Sequence, residues 1–134
     1  MRDGFIKVAA GTPQIRVADC RYNAEQIFTL MREADKQGVR VLALPELCLT
    51  GYTCGDLFLQ RTLQQGALDG LQTLLDASRE LDVVALVGLP LLVRGKLYNC
   101  AAVLCGGRLL GLVPKTYLPN YGEFYEKRQF TPGS

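Results

Sequence analysis

The chain has 134 residues, of which 49% are hydrophobic and 21% charged, with 14 glycines and 6 prolines. That balance excludes a disordered or low-complexity chain and suits one compact domain, because two would each be too small to bury an adequate core. A net charge of +2, with basic residues scattered along the sequence, excludes the basic footprint of a nucleic-acid or membrane-surface binder.

Taken in chain order, Phe5 to Ala10 is a short β-prone run closed by Gly11-Thr12-Pro13, a first strand with its exit loop. Asn23, followed by Gln26, has the spacing of a capping box. Apolar residues at Ala24, Ile27, Phe28, Met31 and Ala34 then mark one buried helical face, ended by Lys36 and Gly38. Val41 to Leu44 is a continuous apolar segment, too short for a globular helix and suited to a strand covered on both faces. Pro45 ends its ladder pairing, which leaves Glu46 just past a strand end. Strand, helix and strand in so few residues form a βαβ unit, so these two strands should be parallel.

Thr50 to Asp56, rich in glycine and short polar residues, reads as an irregular loop. Leu63, Ala67, Leu71, Leu74, Leu75 and Ser78 share one face of a second helix from about Gln60 to about Leu81. Gly66 and Gly70 weaken it by on the order of 1 kcal/mol each relative to alanine. Val83 to Leu89 is a buried central strand parallel to the first two. Arg94-Gly95 and Gly106-Gly107 then read as two hairpin turns, the first leading into a strand over Leu97 to Cys105 and the second into one over Arg108 to Val113. Two reversals restore the original strand direction. Pro114-Lys115 therefore repeats Pro45-Glu46 as a proline-then-charge exit, and Glu46 and Lys115 should emerge at one edge of the sheet. Thr116 to Ser134 is aromatic and loop-like, with Pro119, Asn120 and Gly122 arguing against a regular element before Glu123.

The absence of histidine removes every Ser-His and Cys-His mechanism and leaves Glu, Asp, Lys, Tyr and Cys to carry any chemistry. Five cysteines, an odd number without regular spacing, read as reduced thiols. Cys48 with Cys54, or Cys100 with Cys105, is too loosely spaced for zinc without a histidine, so all five suit core or loop positions as small apolar residues. No metal site is expected. No segment reaches the length of a membrane span, and the first residues lack the pattern of a signal peptide, so the expectation is a cytoplasmic protein with neither membrane nor nucleic acid as partner. A glutamate and a lysine at neighbouring strand ends favour each other's charged forms. They place a proton acceptor beside a fixed positive charge, which can activate a nucleophile and stabilise an oxyanion, although an ordinary ion pair at a sheet edge has the same spacing.

Three stretches go further: Phe5 to Cys20, Leu44 to Phe58 (L-P-E-L-C-L-T-G-Y-T-C-G-D-L-F) and Val113 to Phe130 (V-P-K-T-Y-L-P-N-Y-G-E-F-Y-E-K-R-Q-F). Together they resemble the carbon–nitrogen hydrolases of the nitrilase superfamily, and within it the amino-terminal glutaminase domains of glutamine-dependent NAD synthetases. The resemblance implies an α/β fold, an α-β-β-α sandwich, of which this chain would form the first half: a mixed sheet with two helices and a β-meander. It implies a Glu-Lys-Cys triad, in which Glu46 matches the general base, Lys115 the residue that stabilises the tetrahedral oxyanion, and Glu123 a second glutamate that positions the lysine. Tyr52, Tyr121 and Phe124 match positions lining the substrate pocket.

In such enzymes a cysteine thiolate attacks the side-chain amide of glutamine. The ammonia released passes to a second domain, which uses ATP and magnesium to amidate deamido-NAD. None of Cys20, Cys48, Cys54, Cys100 and Cys105 matches the family's nucleophile in context or order. Residues 1–134 are therefore expected to be a partial glutaminase domain without its synthetase domain, inactive alone and prone to homo-oligomerise through an unpaired sheet face and edge. Two alternatives share the scaffold: another nitrilase-type amidase or carbamoylase, and a non-catalytic interaction module.

Overall fold

The computed structural model describes residues 4–118, 120–121, 124–125 and 129–133; residues 120–121 and 124–125 are described by their backbone only. The first half alternates strand and helix: β1 (Val8–Ala10), α1 (Cys20–Lys36), β2 (Val41–Ala43), α2 (Arg61–Ala77) and β3 (Val84–Val93). The second half is a meander of β4 (Lys96–Cys105) and β5 (Arg108–Pro114), followed by a small hairpin of β6 (Asn120–Tyr121) and β7 (Phe124–Tyr125). That hairpin forms where the sequence predicted only loop.

The main sheet has the order β1-β2-β3-β4-β5. The first three strands are parallel, with Val8 opposite Val41 and Val41 opposite Val84, and β3, β4 and β5 pair antiparallel. This is the expected βαβ unit extended by a meander; its two crossovers step in one direction along the sheet, which with the usual right-handed connection puts both helices on one face, where they pack together. Helix α1 packs against α2, and α2 against β3. The expected strand over Val83 to Leu89 continues through Pro90 to Val93, because the hairpin turn at Arg94 (φ 50) and Gly95 (φ 77) lets β3 pair with β4 along its full length.

Helix α1 starts three residues before its predicted cap. Asp19 is the N-cap, its carboxylate accepting the Tyr22 N–H at 3.1 Å, an ionised acceptor suited to the positive end of a helix. Asn23 is instead inside the helix and fully buried. Its Oδ1 accepts the Arg16 N–H at 2.8 Å, and its Nδ2 donates to the carbonyls of Arg16 at 2.8 Å and Leu49 at 3.0 Å. A carboxamide carries both donor and acceptor, so it can tie the β1–α1 loop to the segment after Glu46. Helix α2 stops at Ala77 and tightens into a 3-10 turn, Ser78–Glu80, short of the predicted Leu81. There the Ser78 hydroxyl donates to the Leu75 carbonyl at 2.9 Å and accepts the Gly107 N–H at 3.0 Å.

The core lies between the helices and the sheet. Ile27 and Met31 of α1, Leu74 of α2, and Val87, Leu89, Ala102 and Leu104 of the sheet are all fully buried. The strand registers put Val8, Ala43, Leu86, Val103 and Val113 on the opposite face, where no helix of the described residues lies. Val8 is 63% and Val113 59% exposed there, on the two edge strands. Toward the Glu46 end that face is covered, with Pro90, Leu97 and Asn99 buried. A Cβ built on Gly88 of β3 would collide with the backbone N of Leu47 and meet Glu46 C and Pro45 O at 2.9 Å, so the turn carrying Glu46 lies directly on the strand. Gly88→Ala must therefore push backbone away from backbone. We expect it to lower stability in urea by about 1–3 kcal/mol and to separate Glu46 from Lys115, with the loss read by equilibrium unfolding and by the side-chain NMR signals of the pair.

Candidate active site

Glu46 is held by its neighbours' backbone. The Leu44 N–H donates to Leu86 O at 3.1 Å, completing the last β2 contact, and the Leu49 N–H donates to Gly88 O at 3.1 Å, so the chain clasps β3 on both sides of the glutamate. Between these bonds Leu47 takes φ 54, a left-handed conformation that costs an aliphatic residue on the order of 1–3 kcal/mol. The surroundings enforce it: the side chain is 1% exposed in the core, and the Leu47 carbonyl accepts from Thr50 N at 3.1 Å and Gly51 N at 2.7 Å.

Lys115 arrives from the far edge of the sheet. Its N–H donates to Asn99 O at 2.7 Å, which extends the β4–β5 ladder by one residue, and its carbonyl accepts the Gly133 N–H at 2.9 Å. The strap that supplies Gly133 is itself tied down, with Thr131 N donating to Leu97 O at 2.6 Å and the Phe130 ring packed 4.9 Å from that of Phe58. The ammonium donates to both carboxylate oxygens of Glu46, at 2.6 Å to Oε1 and 3.1 Å to Oε2, across 69 residues of chain. With side-chain exposures of 30% for the lysine and 36% for the glutamate, the pair is reachable from solvent while its backbone supports are buried.

The structure thus unites the two residues that strand counting predicted to meet. Tyr52 shares the Glu46 loop and is half-buried against the core. The backbones of Tyr121 and Phe124 are opposite one another in the small hairpin, while their side chains, and Glu123 altogether, lie outside the described residues. Sequence reasoning did not identify Gly88 or Asn99 as parts of the site. A lone glycine in an apolar β run, and a lone carboxamide in L-Y-N-C-A-A-V-L-C, were the signals available.

No cysteine reaches the pair as a reactive thiol. Burial pushes Cys20 up to about 11, helped by the nearby Cys54 and Asp19, and burial pushes Cys48 to about 11 as well. Cys54 and Cys100 are raised for the same reason. Cys48, two residues after Glu46, turns its thiol inward to the Gly88 carbonyl at 3.8 Å. Cys105 lies at the far end of β4, with its thiol 3.5 Å from Asp82 O.

The family model for carbon–nitrogen hydrolases matches residues 7–134. The chain belongs to the carbon–nitrogen hydrolase family. It is 42% identical over 130 residues to the glutamine-dependent NAD(+) synthetase of Mycobacterium tuberculosis, a match covering 97% of this chain and 19% of that protein. It superposes on the crystal structure of a glutamine-dependent NAD(+) synthetase from Cytophaga hutchinsonii with a TM-score of 0.86 and 32% identity, over 92% of this chain and 21% of the other. An amidase from Nesterenkonia sp. shares the fold, with a TM-score of 0.82 at 23% identity, over all of this chain and 50% of the amidase. The chain thus has the nitrilase-like α/β fold and spans about a fifth of the length of the synthetases it matches.

The carbon–nitrogen hydrolase fold keeps two of these thiols protonated well beyond their ordinary range, with a consequence for stability. In the unfolded chain Cys20 and Cys48 ionise near 9.0, and in the folded one near 11, so between those values the unfolded state binds fewer protons. Stability should be full below about pH 9 and fall as pH rises toward 11. Urea unfolding at pH 8 and pH 10.5 checks this, and the Cys20→Ala, Cys48→Ala double variant should flatten the dependence.

Proposed function

We propose that this chain supplies the Glu-Lys part of a glutamine amidohydrolase site, in a protein that uses the released ammonia for ATP-dependent amidation of deamido-NAD. One observation carries the reading: Lys115 grips the Glu46 carboxylate with two hydrogen bonds at the reachable end of the sheet, on backbone that packing holds rigid. Glu46 would accept the proton of an attacking thiol and pass it to the departing ammonia. Lys115 would meet the charge that develops on the amide oxygen. Glu123 would position the lysine, and Tyr52, Tyr121 and Phe124 would line the pocket for the glutamine side chain. The similarity to glutamine-dependent NAD(+) synthetases of more than one organism supports the choice of glutamine over other amides.

In this reading the nucleophilic cysteine, and the synthetase unit that uses ATP and magnesium, belong to parts of the protein beyond residues 1–134. The site is expected to be cytoplasmic. Among the described residues no helix is long and apolar enough to cross a membrane. The bare sheet face favours homo-oligomers of the chain by itself. Sedimentation at increasing concentration should show self-association, and a monomer throughout would count against it.

The function is tested by exchange. Residues 1–134 replace the matching segment of the Mycobacterium tuberculosis synthetase, and NAD formation is followed with glutamine or with free ammonia as nitrogen source. The chimera should use both. Glu46→Gln or Lys115→Met should cut the glutamine-driven rate by roughly 10²-fold or more and spare the ammonia-driven rate. Equal loss of both rates, or loss of neither, would rule out the assigned roles. The 134-residue chain by itself should release no more ammonia from glutamine than its Glu46→Ala variant, since Cys20, Cys48, Cys54 and Cys100 are buried and the Cys105 thiol faces Asp82 O at the far end of β4.

A further inference from the structure

Asn99 of β4 is 3% exposed, and its Nδ2 has no hydrogen-bond partner among the described residues. A buried amide donor left unpaired costs about 1–3 kcal/mol, so its place in the fold needs a reason. Register locates it. Asn99 is opposite Pro90 on β3, and its carbonyl takes the Lys115 N–H on the other side, so Pro90, Asn99 and Lys115 form one row across the sheet. Residues opposed in this way project to the same face. Gly88 and Ala101 are the next such pair on that face, and the Glu46 turn lies on Gly88.

Glu46 therefore comes across β3 from one side and Lys115 reaches back from the end of β5 on the other. The strand between them is β4. Register thus sets the buried donor on the strand that the ion pair crosses, one row from the Gly88–Ala101 pair.

We propose that Asn99 is a positioning residue for this pair, its Nδ2 being the neutral donor that takes over the Glu46 carboxylate when Lys115 turns to another acceptor. The inference rests on the reading of Glu46 and Lys115 as the reactive centre. Two of the ammonium's three N–H donors hold the carboxylate, so a lysine that swings toward a substrate oxygen loosens its grip on Glu46. A second donor from below keeps the glutamate oriented while that exchange occurs. A carboxamide does this without adding a charge that would compete with the lysine.

The test uses the 134-residue chain and the side-chain amide signals of Asn99 in ¹⁵N-labelled protein. Lys115→Met mimics the departure of the ammonium. In that variant one Asn99 Nδ2 proton should move downfield and exchange with solvent roughly 10-fold more slowly than in the parent, as expected for a new bond to a charged acceptor. Adding Glu46→Ala to Lys115→Met should abolish both changes. Asn99 signals that are the same in parent, single and double variants would overturn the proposal, because a residue that only fills space would not sense Glu46. This readout needs no catalysis, so failure of the glutamine assay and failure of the Asn99 exchange are separate results.

Discussion

A strand residue without a side chain lets a backbone turn lie flat on a sheet, and at Gly88 that contact decides where Glu46 is. The polypeptide leaves β2 after Ala43, passes over β3 with backbone against backbone, and is clasped there by Leu44 N to Leu86 O and Leu49 N to Gly88 O. A Cβ at Gly88 would hold the turn off the sheet by more than the slack in those bonds. The left-handed Leu47 follows from the same geometry, since the turn must be tight to stay within reach of β3 while its leucine enters the core. The strain is local and the packing around it is not, and strained backbone persists under those conditions.

The Glu46–Lys115 pair contributes little to holding this arrangement. Both side chains are about one-third exposed, and pairs of that kind give about 0–1 kcal/mol once screening and side-chain entropy are counted. The positions of the two residues are instead determined by buried elements. Glu46 depends on the β3 clasp, and Lys115 on the ladder bond to Asn99 and the strap bond from Gly133. An ion pair whose partners are placed by the fold, and which does not itself place the fold, can open and re-form without unfolding anything. That is the property a proton acceptor and an oxyanion partner need.

The helices seal one face of the sheet and leave the other largely open, with apolar residues from Val8 on one edge strand to Val113 on the other. The site lies at the covered end of that face, where the Glu46 turn rests on Gly88 and the Glu46–Lys115 pair spans from β3 toward β5. The same surface therefore has two demands on it, apolar cover along the strands and polar access at their ends. The superposition on longer carbon–nitrogen hydrolases, of which this chain matches between about a fifth and a half, fits that division.

Much of this was legible in the amino-acid order because it depends on local periodicity. Alternating apolar runs and a 3.6-residue stripe gave the strands and helices in the right sequence, Gly95 and Gly106-Gly107 gave the hairpins, and counting directions brought Glu46 and Lys115 together. Where capping or turn chemistry had rivals, the sequence was less decisive: Asn23 has the spacing of a cap, yet Asp19 offers the better acceptor, which frees Asn23 to bind Leu49 O from inside the helix. Only the tertiary structure decided that Gly88 is a seat for the Glu46 turn and not a weak point in a strand, that Leu47 is left-handed, and that Asn99 is buried beside the Lys115 ladder bond with its Nδ2 unpaired among the described residues. Each of these depends on which backbone comes to rest on which, across separations of about 40 to 70 residues, and no local pattern encodes a contact of that range.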